Sequence, residues 1–271
     1  MDSLKEENVI VEDMPPPPAR PPRASNLNAE GEPMEVDSVK KRTIVFCIPG
    51  ETFSNEFLRS WTEIFAYCMM NNITPIMSNA SDNNWYSLRN KCLMGNVING
   101  ITQKPFQGKL EYDYIMWINS NMIFNVEMFK KLLAHNRDIV SGLYLSKDIQ
   151  RYEVVTKLDK DYLYKNGDYE RLSRDNLNEW KNNQNNMGLP PVLDVDYCGM
   201  GFMLLKKGVM EKFQYPWFKP SLTTLQDGSG NILLQDYNND EFYFCMRCKD
   251  LGYNIYVDTE VVVGRQKNII L

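Results

Sequence analysis

The chain is expected to be an α/β protein: one domain on a mostly parallel central sheet, residues 43–271, behind a disordered proline-rich tail, residues 1–42. Three observations lead there. From Thr43 onward, short apolar runs alternate with segments of helical period, as consecutive βαβ units require. The first 42 residues hold seven of the fourteen prolines, nine acids, six bases and no aromatic residue. The whole chain is 43 % apolar, enough for a buried core.

The tail cannot bury enough apolar surface to offset the entropy of ordering it. Its stretch Pro15-Pro16-Pro17-Pro18-Ala19-Arg20-Pro21-Pro22-Arg23 favours polyproline II and spells P-x-x-P-x-R, the pattern that docks on SH3-type grooves. A solvated arm is the plainer account of it.

In the globular part, Thr43–Ile48 reads as a buried strand ending at Pro49-Gly50. Asn55–Met70 carries Phe57, Leu58, Trp61, Ile64, Phe65 and Cys68 at helical spacing. Ile73–Met77 predicts a second strand, Trp85–Ile98 a second helix and Tyr112–Ile118 a third strand. Val126–His135 follows as a helix and Asp138–Tyr144 as a strand. Residues 150–192 are polar and irregular, an insertion read as a hairpin and a loop. Asp194–Tyr197 and Gly201–Leu205 read as strands around Gly199-Met200-Gly201, Asp240–Asp250 as a helix, and Tyr253–Val257 as a strand. Leu222–Leu234, with Gly228 and Gly230, reads as a mobile loop. Ligands of such sheets bind beyond the C-terminal strand ends, so Pro49-Gly50 and Asn119–Asn121 are expected to lie together at that edge.

The net charge of −5 argues against a broad nucleic-acid-binding surface. No run of 18 apolar residues predicts a transmembrane helix, and Met1–Glu7 lacks the apolar stretch of a signal peptide, so the default compartment is cytoplasmic. In that reducing setting the six cysteines are small buried hydrophobes, and Cys245-x-x-Cys248 is a core pair rather than a metal half-site. The only histidine, His135, is read as a helix C-terminal residue, which leaves zinc and Ser–His–Asp chemistry short of ligands. The sequence also has no P-loop and no G-x-S-x-G elbow. The abundance of asparagine suits an AT-rich viral or protist genome.

Several segments, in order, carry a resemblance. They are Val45–Gly50; Leu88-Arg89-Asn90; Tyr112–Met122 with Asn119-Ser120-Asn121 at its end; Asp138–Tyr144; Asp196–Phe202; Asp240–Cys245; and Val262-Val263-Gly264-Arg265. Together, across roughly residues 43–265, they resemble glycosyltransferases of the Rossmann-like GT-A fold, of the family 2 type. The resemblance implies a nucleoside-diphosphate sugar as donor and a glycan, protein or lipid as acceptor. It implies that Pro49, Gly50, Arg89, Asn119, Asn121, Gly199, Gly201 and Arg265 bind the nucleotide sugar, with Lys267 assisting. Asp240 and Glu241 would be the catalytic carboxylates, Asp240 ranked first. The cluster Tyr215-Pro216-Trp217-Phe218 itself reads as core packing or a loop anchor, with Trp217 as an acceptor platform for a sugar face the alternative. The Leu222–Leu234 loop would close over the donor.

The chain departs from the family pattern where a metal would sit. Asp-x-Asp is Asn119-Ser120-Asn121 here, and a closing His is Arg265. Hard divalent cations want carboxylate oxygens. Losing two formal charges and gaining a guanidinium removes several kcal/mol of attraction for the ion. No cofactor is then required, though the amides still permit weak Mn²⁺ or Mg²⁺ binding at the degenerate site Asn119, Asn121 and Arg265. Two outcomes follow: a transferase in which Arg265, with Arg89, replaces the cation at the diphosphate, or an inactive protein that keeps the fold as a nucleotide-sugar-binding or interaction module. Asp240 and Glu241 favour the first, because the acceptor hydroxyl needs a base. Their plainer account is that acids suit a helix N-terminus, with Asn238-Asn239 as the cap.

Overall fold

The computed structural model describes residues 41–267, so residues 1–40 of the proline-rich tail, with its P-x-x-P-x-R stretch, lie outside the described residues, while Arg42, assigned to the tail, opens the first strand. The strands are β1 Arg42–Pro49, β2 Ile73–Ala80, β3 Tyr114–Ile118, β4 Met122–Ile123, β5 Ile139–Leu143, β6 Val154–Val155, β7 Val192–Val195, β8 Tyr197–Cys198, β9 Phe202–Lys206, β10 Ser221–Gln226, β11 Ile232–Asn238, β12 Ile255–Val262 and β13 Gly264–Arg265. The α-helices are α1 Asn55–Met70, α2 Trp85–Cys92, α3 Val126–Ala134, α4 Lys160–Asn166, α5 Arg174–Met187 and α6 Asp240–Asp250.

Seven strands form the central sheet in the order β2-β1-β3-β9-β5-β12-β7. Five of them, β1, β2, β3, β5 and β12, run one way, while β9 and β7 run against them. This is the mostly parallel Rossmann-like α/β sheet expected from the sequence. Its inner strands β1, β3, β5 and β9 are buried on both faces, so they read as continuous apolar runs. Ile44, Phe46 and Ile48 of β1, with Tyr114, Met116 and Ile118 of β3, pack with Phe57, Ile64 and Cys68 of α1 and Phe129 and Leu132 of α3. The alternate residues Val45, Cys47, Ile115 and Trp117 pack with Cys92 and with Phe244, Cys245 and Cys248 of α6.

Side-chain caps set the helix starts. Ser54, Asn125 and Asn239 accept from the N–H groups of Phe57, Met128 and Phe242 at 3.1, 3.0 and 2.8 Å. His135 is the C-terminal cap of α3, and its Nε2 lies 2.8 Å from the buried Asp258 carboxylate.

Three expectations are corrected. The helix at Trp85 stops at Cys92, because Met94 turns to φ +58° and Gly95 has no room for a side chain beneath Tyr215 and Trp217. Residues 150–192 hold two helices, α4 and α5; α5 buries only Leu177, so it shows little apolar periodicity. Residues 222–234 belong to the β10–β11 hairpin, whose Asp227 side chain accepts from the N–H groups of Ser229 and Asn231, both at 2.8 Å.

Because β1, β3, β5 and β12 are parallel, their C-terminal ends share one edge with the start of the antiparallel β9. Pro49-Gly50 and Asn119–Asn121 meet there as expected: Ser120 N–H donates to the Pro49 carbonyl at 3.3 Å, and Gly50, at φ +138°, leaves the space Ser120 occupies.

Candidate functional site

A polar cleft of about 520 Å³ opens at this edge. It brings together residues far apart in sequence: Arg89 of α2, Asn119 after β3, Asp240 and Glu241 at the start of α6, and Arg265 of β13. Five cations (Arg89, Lys147, Arg151, Arg171 and Arg265) face four carboxylates (Asp148, Glu153, Asp240 and Glu241) across it.

Arg89 sits at its floor, 1 % exposed. One guanidinium nitrogen donates to Asp240 at 2.9 Å and the other to Glu241. Burial opposes the charge on Arg89, but Glu241 and Asp240 outweigh it, so its pKa rises above the ordinary value. Arg89 therefore spends its charge on the two expected base residues and has no free fork for a diphosphate. Its Nε has no partner, and its guanidinium carbon lies 5.4 Å from the Trp85 ring. Of the two carboxylates, Glu241 is the more open, 13 % exposed against 6 % for Asp240. The following Asn90 is structural: its amide bridges the Phe218 backbone, donating to the carbonyl at 2.7 Å and accepting from the N–H at 3.2 Å.

Glu153 was not visible from the sequence. It accepts from Arg171 Nε at 3.2 Å and from the Tyr197 hydroxyl at 3.2 Å, and its second oxygen lies 3.9 Å from Arg265. Tyr197 also lies 3.4 Å from Glu241, so one phenol bridges the two carboxylate groups. Burial, then the fields of Glu241 and Glu153, push the Tyr144 and Tyr197 hydroxyls well above the usual phenol range. Both stay protonated near neutral pH; the Tyr197 proton is directed at Glu153 and Glu241, and Tyr144 lines the cleft. Tyr144 ends the β5 segment, and its position was visible in the sequence as the last residue of that motif. Glu153 and Arg171 fall in the polar insertion, where no pattern marks them.

Gly199 and Gly201 make room for Tyr144, and Gly201 for Met122 as well. A Cβ at Gly199 would lie 1.9 Å from the Tyr144 oxygen, and one at Gly201 2.8 Å from its ring. Gly201 N–H donates to that oxygen at 3.0 Å. The acceptor-platform alternative for Trp217 is corrected. It is fully buried, edge-on to Tyr215 at 5.3 Å, and presents no face to an acceptor. Lys267 lies outside the lining of the cleft and donates to the Lys147 carbonyl.

The donor set does not fit a tightly held divalent cation. Asn119 offers one buried amide oxygen without a partner. Asn121 turns aside; its amide lies 3.5 Å from the Gln266 carbonyl and outside the cleft lining. Arg265 stands where a ligand would be needed, 3.4 Å from the Leu145 carbonyl and over the Tyr144 ring at 5.7 Å. The carboxylates nearby are tied to arginines. Cys245 and Cys248 are buried in the core, and Cys245 Sγ lies 3.4 Å from the Cys198 carbonyl.

No protein-family model matches this chain, and no curated protein matches it. Among solved structures it is similar to A197 from STIV, with 15 % identity, 85 % of this chain and 96 % of that chain covered, and a TM-score of 0.44. It is also similar to the inositol-1-phosphate CTP transferase from T. maritima, with 9 % identity, coverage of 83 % and 89 %, and a TM-score of 0.37. Likenesses this distant carry nothing about the chemistry of the cleft.

Proposed function

We propose that the chain transfers a sugar from a nucleoside-diphosphate sugar held in this cleft, with arginines in place of a metal ion. The observation that supports it is the convergence of Arg151, Arg171 and Arg265 with Glu153, Glu241 and the Asn119 amide at the C-terminal edge of the sheet. The diphosphate would take charge-assisted hydrogen bonds from Arg265 and from Arg151, whose guanidinium also pairs with Asp148 at 2.8 Å, and a donor amide or hydroxyl would satisfy the unpartnered Asn119 oxygen. The acceptor oxygen bonds to the anomeric carbon as the bond to the diphosphate breaks. The electron pair leaves with the diphosphate, and the acceptor proton passes to Glu241. Glu241 takes the base role here rather than Asp240, which is the more buried of the two and anchors Arg89.

The second reading is an inactive nucleotide-sugar-binding or interaction module. Its support is the double pairing of Arg89, which leaves one oxygen of Glu241, turned toward Tyr197, as the base.

Donor hydrolysis and transfer by the full chain, over UDP-, GDP- and dTDP-sugars, with Mn²⁺ and with EDTA, separates these. Turnover that persists in EDTA supports the arginine-based transferase. Turnover only with Mn²⁺ overturns the metal substitution. Donor binding without turnover over a broad acceptor panel of glycans, proteins and lipids supports the inactive module. Neither binding nor turnover overturns the transferase and the nucleotide-sugar-binding module, and leaves the interaction module.

A further inference from the structure

Residues 83–110 contain no Asp or Glu, in a chain whose net charge is −5. Within this acid-free stretch lies a closed loop. The Gln103 amide ties its neck, donating to the carbonyls of Asn96 and Gly100, both at 2.8 Å, and accepting from the Asn96 N–H at 3.0 Å. The body holds the loop as well: Phe106 N–H donates to the Leu93 carbonyl at 2.7 Å and Tyr215 N–H to the Ile101 carbonyl at 3.1 Å.

At the tip of this pinned loop, Val97, Ile98 and Ile101 are 77, 83 and 61 % exposed. Three aliphatic side chains held in water forgo the gain of burial, and the hydrogen-bonded neck keeps them from folding away. Cations accompany them. Lys104 and Lys109 are exposed, and among the described residues neither pairs with a carboxylate. Lys219, also exposed, lines a groove in common with Val97.

Apolar side chains on a rigid tip, with lysines and no acids beside them, match an anionic bilayer surface. The aliphatic groups enter the boundary between headgroups and acyl chains, and the ammonium groups meet lipid phosphates and carboxylates. A protein partner fits less well, because the cores of protein interfaces are depleted of lysine. No helix among the described residues is long and apolar enough to cross a membrane, so this contact is peripheral. We propose that the 94–109 loop seats the protein on anionic membrane surfaces, independently of the chemistry in the cleft.

The test is flotation of the full chain with vesicles of phosphatidylcholine alone and of phosphatidylcholine mixed with phosphatidylserine, at low and high salt. The parent is expected to float with the phosphatidylserine vesicles at low salt and to be released by high salt. Ile98→Asp, and Lys104→Glu combined with Lys109→Glu, are each expected to weaken that partition about tenfold. Met70→Asp, which changes an exposed apolar residue at the end of α1, is expected to bind as the parent does. Unchanged melting temperatures verify folding. Absence of flotation with either vesicle, or equal partition by Ile98→Asp, overturns the proposal. Self-association in solution that Ile98→Asp abolishes, without vesicle binding, also overturns it and assigns the loop to a second copy of the chain.

Discussion

Arg89 shows how one residue can serve the fold and the site at once. It is buried between Asp240 and Glu241 and joins α2 to α6, 151 residues away in sequence. Removing it strands two carboxylates in a poorly hydrated site, so Arg89→Met is expected to cost about 3–5 kcal/mol. Urea unfolding checks this; a midpoint equal to the parent's would show that water reaches the pair freely. Arg89→Lys is not expected to rescue it, since an ammonium cannot span both acids as a guanidinium fork does. The tyrosines add a pH dependence of definite sign. In the unfolded chain Tyr144 and Tyr197 ionise near pH 10, whereas in the folded chain burial and the neighbouring carboxylates keep them protonated to higher pH. Their contribution to stability is therefore constant below about pH 10 and is lost as the pH rises through the folded values. Tyr197→Phe should flatten the alkaline decline in melting temperature, and an identical decline would show that Tyr197 is solvated.

At the scale of elements, the turn between β8 and β9 is shaped by its neighbours, Tyr144 and Glu153 at Gly199 and Met122 and Tyr144 at Gly201. Gly199 and Gly201 flank a pocket filled by Tyr144 from the end of β5. Gly199→Ala is expected to cost about 1–3 kcal/mol by overpacking. Tyr144→Phe removes the oxygen nearest the new methyl group but leaves ring carbon Cζ 2.9 Å away, so the double variant should recover part of the loss. Strict additivity in a double-mutant cycle would place the strain elsewhere. The same contrast explains what the sequence reveals. α1 and α6 were legible to their end residues, because apolar period, cap and stop agree in Asn55–Met70 and Asp240–Asp250. α5 was not, because it packs a single leucine, and only Ser173 and Gly188 mark its ends. Arg89, Asn119, Asp240, Glu241 and Arg265 are grouped through the resemblance of their motifs, whereas the strand-end rule alone brings together Pro49-Gly50 and Asn119–Asn121. Their pairing could not be read, since whether Arg89 meets a phosphate or two carboxylates depends on how far α2 and α6 approach. Trp217 left two readings open for a related reason, since an aromatic cluster spells a stacking platform and a core in the same letters, and its full burial decides for the core.

At the scale of the whole molecule, charge is distributed against its average. The chain is net acidic, yet five cations face four carboxylates in the cleft. With Arg89 committed to Asp240 and Glu241, an incoming diphosphate meets Lys147, Arg151, Arg171 and Arg265 against two carboxylates, Asp148 paired to Arg151 and Glu153 beside Arg171 and Arg265. On the proposed reading such a site accepts the anion without an added cation, which predicts an effect that does not depend on turnover. A nucleoside diphosphate at about a hundred times its Kd is expected to stabilise the fold by about 2.7 kcal/mol. For a domain of this size that corresponds to a rise in melting temperature of roughly 5–10 °C. The rise should be the same in EDTA as in Mg²⁺, should shrink with added salt as the charge-assisted contacts are screened, and should fall sharply in Arg265→Ala but little in Asn121→Ala, whose side chain turns toward Gln266. If turnover is found, Arg265→Ala should likewise damage it far more than Asn121→Ala. A rise that requires Mg²⁺, or one insensitive to Arg265→Ala, would mean that the amides and carboxylates of the cleft recruit a cation despite the arginines around them, and the substitution of guanidinium for metal would have to be abandoned.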